Sequence, residues 1–175
     1  MAKTEFEHPA IDQIAATPEI LRLMMGPVSD AQARWKPAAD RWSIAEVLEH
    51  LSHIEGHYFR AGVEAMLTGS DPAVEPYDQK AWEAEGAYAG RDPEESFAHF
   101  EEQREGNVQF LRDLEINDLP RSGRHPGVGK VTIGDYLNEW ALHDLGHIRQ
   151  IAELIRAQLY FPGLGGYQSH YTVRP

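Results

Sequence analysis

The 175-residue sequence contains no cysteine. Disulfide bonds, thiolate metal ligands and a cysteine nucleophile are therefore excluded, and any metal must be held by nitrogen or oxygen ligands. Basic residues are also few, since 16 lysines and arginines stand against 28 acidic residues and give a formal net charge of −12. A net charge of this sign argues against a nucleic acid or an anionic membrane surface as the main partner, and we expect neither.

Long apolar segments are missing as well. No run approaches the roughly 18 apolar residues of a membrane-spanning helix, and the polar residues 1–7 contain no apolar core of signal-peptide length. The apolar fraction of 42% and the charged fraction of 25% are ordinary for a globular protein. We therefore predict a single cytoplasmic domain that spans residues 1–175.

Apolar residues recur at helical spacing in four stretches, and no segment of any length alternates with the period of a strand. The first helix is predicted over residues 11–25, where Thr17-Pro18 could start a second helix inside it. The second helix opens with the capping box Ser43-Ile44-Ala45-Glu46, in which the serine and glutamate side chains each satisfy a free backbone N–H group. It is predicted to extend to about Leu67.

The other two helices begin with similar signals. Asp92 fits the N-cap and Pro93 the first position of a third helix. Thr132, with Asp135 three residues later, begins the fourth helix. The remaining segments are predicted to be loops over 69–91 and 120–130 and a non-helical, aromatic tail over 160–175. Four long amphipathic helices with long connections predict an all-α four-helix bundle.

Histidines provide the candidate chemistry. His143 and His147 lie four residues apart, on one face of the fourth helix and within reach of one ion. In the second helix, His50 and His57 lie at the edge of the apolar stripe, whereas His53 lies further toward solvent. Helix bundles build metal sites from facing helices, and His50 is the candidate third ligand because it lies nearest the capped helix start. The alternative is that all three are hydrogen-bonded bundle residues without a metal.

Three segments together resemble the DinB/YfiT-like family. They are Trp35-Lys36-Pro37, residues 42–51 (WSIAEVLEHL) and residues 143–151 (HDLGHIRQI), in this order along the chain. The resemblance implies a four-helix bundle that holds a divalent metal ion, often zinc or nickel. It also implies that some relatives transfer low-molecular-weight thiols with the help of a metal, whereas others resemble hydrolases. The ligands that it implies are His50, His143 and His147.

Three imidazoles would leave coordination positions open for water or a substrate, which is typical of catalytic metal sites. We therefore favour a metal-dependent enzyme that acts on a small molecule, either as a small-thiol transferase or as a hydrolase. Because the chain has no cysteine, a thiol would have to be a cosubstrate. Two alternatives stay open: a metal-binding stress protein without turnover, and an interaction module that forms a homodimer. The sequence assigns no catalytic residue.

Five residues near these histidines have two interpretations each. Glu46 and Glu139 precede a candidate ligand by one turn and could orient its imidazole, but the capping box accounts for Glu46, and Glu139 is expected in solvent. Asp144 falls within an apolar stripe, so it needs a buried partner, and we favour a structural role over a role in the site. Gln150 either points into the site or bonds to a neighbouring helix. His57 is expected to be exposed or at the core edge rather than a general base.

Overall fold

The computed structural model describes residues 7–84 and 88–175. Within these ranges, the regular structure consists of seven α-helices and one β-hairpin, together with short π-helical and 3-10 segments. In chain order, the helices are α1 (Pro9–Met25), α2 (Asp30–Ala33), α3 (Ile44–Ile54), α4 (Ala61–Thr68), α5 (Gln79–Ala84), α6 (Pro93–Arg112) and α7 (Ile133–Ile155).

Four long helical units form the bundle that the apolar spacing predicts. The π-helical segment Glu55–Arg60 joins α3 to α4, so that one continuous rod runs from residue 44 to residue 68. This α3–α4 rod packs against α6 and α7, and α1 packs against the same two helices. The predicted caps are present, because Ser43, Asp92 and Thr132 accept hydrogen bonds from backbone N–H groups of the first turns. No helix in the described ranges is both long and apolar enough to cross a membrane.

Two apolar clusters fill the bundle, one toward each end. One cluster contains Phe59 and Trp140, and the other contains Leu48 and Phe100. On each of the four helical units, the residues of one cluster precede those of the other along the chain, with a gap between them. This gap is where polar side chains enter the interior.

A buried polar layer lies at the boundary between the two clusters and takes one residue from each helical unit: Thr17, Glu55, Arg104 and Asp144. Three of them lie within the gap, and Glu55 directly follows Ile54, the first residue of its cluster on the rod. The Arg104 guanidinium donates to Asp144 at 2.6 and 3.1 Å and, through Nε, to Glu55 at 3.0 Å. The Thr17 hydroxyl donates to Asp144 at 2.7 Å. Burial alone would lower the pKa of Arg104, but the two carboxylates outweigh it and raise that pKa above its ordinary value. The layer therefore places the guanidinium cation of Arg104 between two buried carboxyl groups.

Helix α1 continues through Pro18 without the break that the sequence allowed. Proline has no N–H group, so the carbonyl oxygen of Ile14, four residues earlier, loses its helical donor. Arg104 of α6 donates to that oxygen instead, with an Nη1···O distance of 2.7 Å. The Ile14 carbonyl oxygen that Pro18 leaves without a helical donor thus links α1 to the polar layer.

Three expectations about the connecting segments were wrong. The segment 69–91 is not entirely a loop, because it contains the short helix α5. The segment 120–130 is not entirely a loop, because β1 (Ser122–His125) and β2 (Gly129–Thr132) form an antiparallel hairpin with His125 opposite Gly129. The turn is closed by Gly129, whose φ of 84° suits glycine. The tail is not non-helical, since Phe161–His170 forms 3-10 turns that bend at Gly165, where φ is 55°. The fold is thus mostly helical rather than purely α.

Candidate metal centre

His50, His143 and His147 meet in the interior of the bundle. His50 lies on α3, and the other two lie one turn apart on α7. The Nε2 atom of His143 is 3.0 Å from Nε2 of His50 and 3.1 Å from Nε2 of His147. Among the described residues, these three form the one group of potential metal ligands with converging donor atoms. The structure therefore brings together the three histidines that the sequence selects.

The hydrogen-bond partner of each Nδ1 atom determines which ring nitrogen carries the proton and whether Nε2 has a free lone pair. His147 Nδ1 lies 2.9 Å from the side-chain oxygen of Gln150, which can only accept, so Nδ1 carries the proton and Nε2 keeps a lone pair. His50 Nδ1 lies 3.3 Å from the hydroxyl of Tyr88. His143 Nδ1 is buried and has no hydrogen-bond partner among the described residues.

Burial keeps the imidazoles neutral. Burial, with smaller contributions from His147 and His143, lowers the pKa of His50 from 6.5 to about 2. Burial, followed by His147 and Arg104, lowers the pKa of His143 to about 3. Burial also lowers the pKa of His147, although the hydrogen bond to Gln150 opposes it. The neutral imidazole is the form that binds metal ions.

This donor set fits a divalent cation. Three imidazole nitrogens point at one another, and a single proton can bridge only two of them at a time. A cation at about 2.0–2.1 Å from each nitrogen would satisfy all three lone pairs together. Imidazole nitrogens suit zinc, nickel, copper and iron, and the residues at the centre offer no sulfur.

A cavity of about 400 Å³ opens beside His50 and His143. No residue of the C-terminal segment 161–175 lines it, so the tail does not close this cavity. Its polar lining residues, besides the two histidines and three tyrosines, are Gln79, His125 and Glu139. Its other walls include Tyr58, Phe59, Tyr77, Val128, Val131 and Tyr136.

Among the residues that the structure describes, Glu139 is the one carboxylate that lines this cavity, and it lies one helical turn before His143. The hydroxyl of Tyr58 is 3.3 Å from both of its carboxylate oxygens. Burial raises the pKa of Glu139 above its ordinary value, against smaller opposing effects of Tyr58 and His125. Glu139 is nevertheless exposed, as expected for a solvated helix residue, and none of its hydrogen bonds among the described residues joins it to a histidine.

The other four candidate residues have structural or surface positions, or contact a ligand histidine. Asp144 has the favoured structural role, in the polar layer between the two α7 histidines. Glu46 accepts a hydrogen bond from the backbone N–H of Ser43 and so caps α3. Gln150 points into the site, where its side-chain oxygen contacts His147, which is one of the two interpretations of that residue. His57 is exposed, and its Nδ1 bonds to the backbone of its own helix.

Three aromatic neighbours of the centre had no assigned role from the sequence. The indole of Trp42 stacks on His147 at a ring-centroid distance of 6.3 Å, and Tyr88 and Tyr77 meet His50 edge to face. Both tyrosines come from the long connection between α4 and α6, where no periodicity marks a contact partner. Their only sequence signal is the concentration of aromatic residues in an otherwise polar loop.

The fold and the site define a class: a helix bundle with three converging histidines beside an accessible cavity. The family model of the DinB superfamily matches residues 13–151. The chain therefore belongs to the DinB superfamily, which confirms the resemblance carried by residues 42–51 and 143–151.

Individual relatives agree with this assignment. A protein from Oceanobacillus iheyensis is 28% identical over 148 residues, which cover 83% of this chain and 84% of the relative. YfiT from Bacillus subtilis is 29% identical over 149 residues, which cover 83% of this chain and 82% of YfiT. The name of each relative proposes a metal-dependent hydrolase. The solved structure of YfiT, a four-helix bundle, superposes with a TM-score of 0.75 at 24% identity over 90% of this chain and 93% of YfiT.

Proposed function

We propose that this protein is a metal-dependent hydrolase that holds one divalent ion, zinc or nickel, on His50, His143 and His147. The observation that carries the proposal is the convergence of three neutral Nε2 atoms at 3.0 and 3.1 Å beside an open cavity. The names of the curated relatives support the same class of reaction. A small-molecule substrate suits a cavity of about 400 Å³.

The residues of the site have separate roles in the proposed reaction. When bound, a divalent ion supplies Lewis-acid polarisation and a nucleophile that forms at neutral pH. The three imidazoles hold it, and Gln150 fixes the ring of His147 through the bond to Nδ1. Glu139 lines the same cavity, and a carboxylate with a raised pKa can accept the proton that the attacking water gives up. The Tyr58 hydroxyl orients that carboxylate.

Metal content tests the first half of the proposal. Protein prepared without a histidine tag should contain about one equivalent of a transition metal by elemental analysis. His50→Ala and His147→Ala should each lose it, whereas His170→Ala, in the exposed tail, should keep it. A wild-type protein that neither contains nor takes up zinc or nickel would return the histidines to the role of bundle residues and favour the interaction module.

Turnover tests the second half. The loaded protein should hydrolyse members of a panel of small esters, amides and lactones, and Glu139→Gln should lower the rate about 10²–10⁴-fold without loss of metal. The same panel with an added thiol and an electrophile tests the transferase alternative, in which thioether formation replaces hydrolysis. A loaded protein that turns over neither set would favour the metal-binding stress protein. An unchanged rate in Glu139→Gln would remove Glu139 from the mechanism.

A further inference from the structure

A line of hydrogen bonds leads from His50 away from the metal centre. His50 Nδ1 is 3.3 Å from the hydroxyl of Tyr88, the hydroxyls of Tyr88 and Tyr77 bond to each other, and the hydroxyl of Tyr77 is 3.2 Å from His53 Nδ1. His50 and His53 both lie on α3, one turn apart. The two tyrosines lie on either side of α5 in the connection 69–92. This connection therefore supplies the hydroxyl groups that link His50 to His53 of the same helix.

The donors in this line can all point outward from the centre. If Nε2 of His50 keeps its lone pair for an ion, its Nδ1 carries the proton and donates to Tyr88. The Tyr88 hydroxyl then donates to Tyr77, and the Tyr77 hydroxyl donates to His53 Nδ1. Each hydroxyl gives one hydrogen bond and accepts one, and His53 ends the line as an acceptor.

Packing holds this line in place. Tyr88 is only 3% exposed and His50 only 2%. The Tyr88 and Tyr77 rings lie 5.6 and 5.5 Å from the imidazole of His50, both edge to face. Trp82 of α5 covers His53 at a centroid distance of 4.0 Å. The rings of His50 and Tyr88 cannot swing away without opening a buried contact, whereas Tyr77, His53 and Trp82 are half-buried.

We propose that Tyr88 and Tyr77 are positioning residues, which hold His50 in the Nδ1–H tautomer and so present its Nε2 to the ion, with His53 as the terminal acceptor. The role rests on the proposed function, because it serves the same metal centre. Gln150 does for His147 what the two tyrosines do for His50. Partners of this kind fix the tautomer and the ring orientation of ligating histidines.

The proposal predicts a specific pattern in the metal-free protein. His50 and His147 both offer Nε2 lone pairs, and His143 lies 3.0 and 3.1 Å from them. One proton is needed between these nitrogens, so His143 carries it on Nε2. Its Nδ1, which has no partner among the described residues, is then a bare lone pair and not a buried donor.

The ¹⁵N chemical shifts of the metal-free wild-type protein at pH 8 test this pattern without any substitution. Histidine-labelled protein should show Nδ1–H tautomers for His50 and His147 and the Nε2–H tautomer for His143. Single histidine-to-glutamine variants assign the signals. The Nε2–H tautomer for His50 in the wild type would overturn the proposal, whether or not the protein binds metal.

Zinc affinity, measured by competition with a chromophoric chelator, provides the second test. Tyr88→Phe should weaken zinc binding about 10–100-fold and shift His50 toward the Nε2–H tautomer. Tyr77→Phe, which leaves the Tyr88 hydroxyl in place, should weaken it less. Tyr167→Phe, at a tyrosine that is 70% exposed, should change nothing.

The outcomes separate the two proposals. If the wild type binds zinc but Tyr88→Phe and Tyr77→Phe bind it equally well with His50 unchanged, the positioning role is refuted and the metal centre stands. If the wild type binds no zinc, the metal centre fails instead. Should Tyr88→Phe not fold, Tyr77→Phe and the wild-type tautomers still decide.

Discussion

Arg104→Met removes the cation of the polar layer and leaves its two carboxylates buried together. The Arg104 side chain is 1% exposed, and those of Glu55 and Asp144 are 0% exposed. The substitution deletes five hydrogen bonds, two to Glu55, two to Asp144 and one to the Ile14 carbonyl. Methionine approximates the length of the lost stem, so the change acts mainly on charge and hydrogen bonding.

The expected loss is about 3–5 kcal/mol of the free energy of unfolding, the range for a buried ion pair that loses one partner. That is a large share of the roughly 5–15 kcal/mol that stabilises a typical domain. It corresponds to a fall in Tm of roughly 6–20 °C, because 1 kcal/mol shifts a domain of this size by about 2–4 °C. Arg22→Met is the matched control, since Arg22 is 55% exposed in its ion pairs and should cost less than about 1 kcal/mol.

The dependence on pH distinguishes the loss of the Arg104 charge from a simple packing defect. Without Arg104, two carboxyl groups are buried with no cation beside them, and burial disfavours the ionised form of such groups. Relative to the wild type, the variant should therefore lose less stability at low pH, where a carboxyl group of the layer can take up a proton, and lose more as the pH rises. The deficit of Arg104→Met, measured by urea unfolding, should therefore shrink between pH 8 and pH 5, and adding Asp144→Asn should restore part of it. A deficit below about 1 kcal/mol, or one that does not change with pH, would refute the reasoning.

Two further predictions concern the whole fold. The metal-free protein should lose about 1.4 kcal/mol per pH unit below pH 6.5 for each of His50 and His143, because burial lowers their folded pKa to about 2 and about 3 while the unfolded chain takes up protons near 6.5. Denaturant unfolding between pH 8 and pH 5 measures this, and a flat profile would contradict it. Gly62→Ala would place a Cβ 2.4 Å from the Tyr136 ring and should cost about 1–3 kcal/mol, whereas Gly106→Ala meets no atom within 4 Å and should gain about 0.5–1 kcal/mol. Equal Tm shifts for the two variants would contradict the packing.

The helices could be predicted because their signals are local. Caps such as Ser43 and Thr132 and the apolar spacing between them depend on a few neighbouring residues, and the structure reproduces both starts. The hairpin could not be predicted, because its strands Ser122–His125 and Gly129–Thr132 are too short to establish an alternating pattern. The 3-10 turns of the tail likewise lack the long repeat that identifies a helix.

The site was predictable where it lies on helices and obscure where it depends on tertiary contacts. His143 and His147 share a face by spacing alone, and His50 meets them because the two helices pack side by side. Asp144 was recognised as a carboxylate in an apolar stripe, and the same reasoning applied to Arg104, between Phe100 and Val108, could have identified its partner. The tyrosines of the long connection carry no such periodicity.

Anomalous diffraction at the zinc absorption edge, from crystals of tag-free protein loaded with zinc, tests the central claim most directly. One strong peak should lie about 2.0–2.1 Å from the Nε2 atoms of His50, His143 and His147, with the open side of the ion toward the cavity. The same crystals of His147→Ala should lack it. A peak bound elsewhere, or no peak between the three imidazoles, would contradict the account.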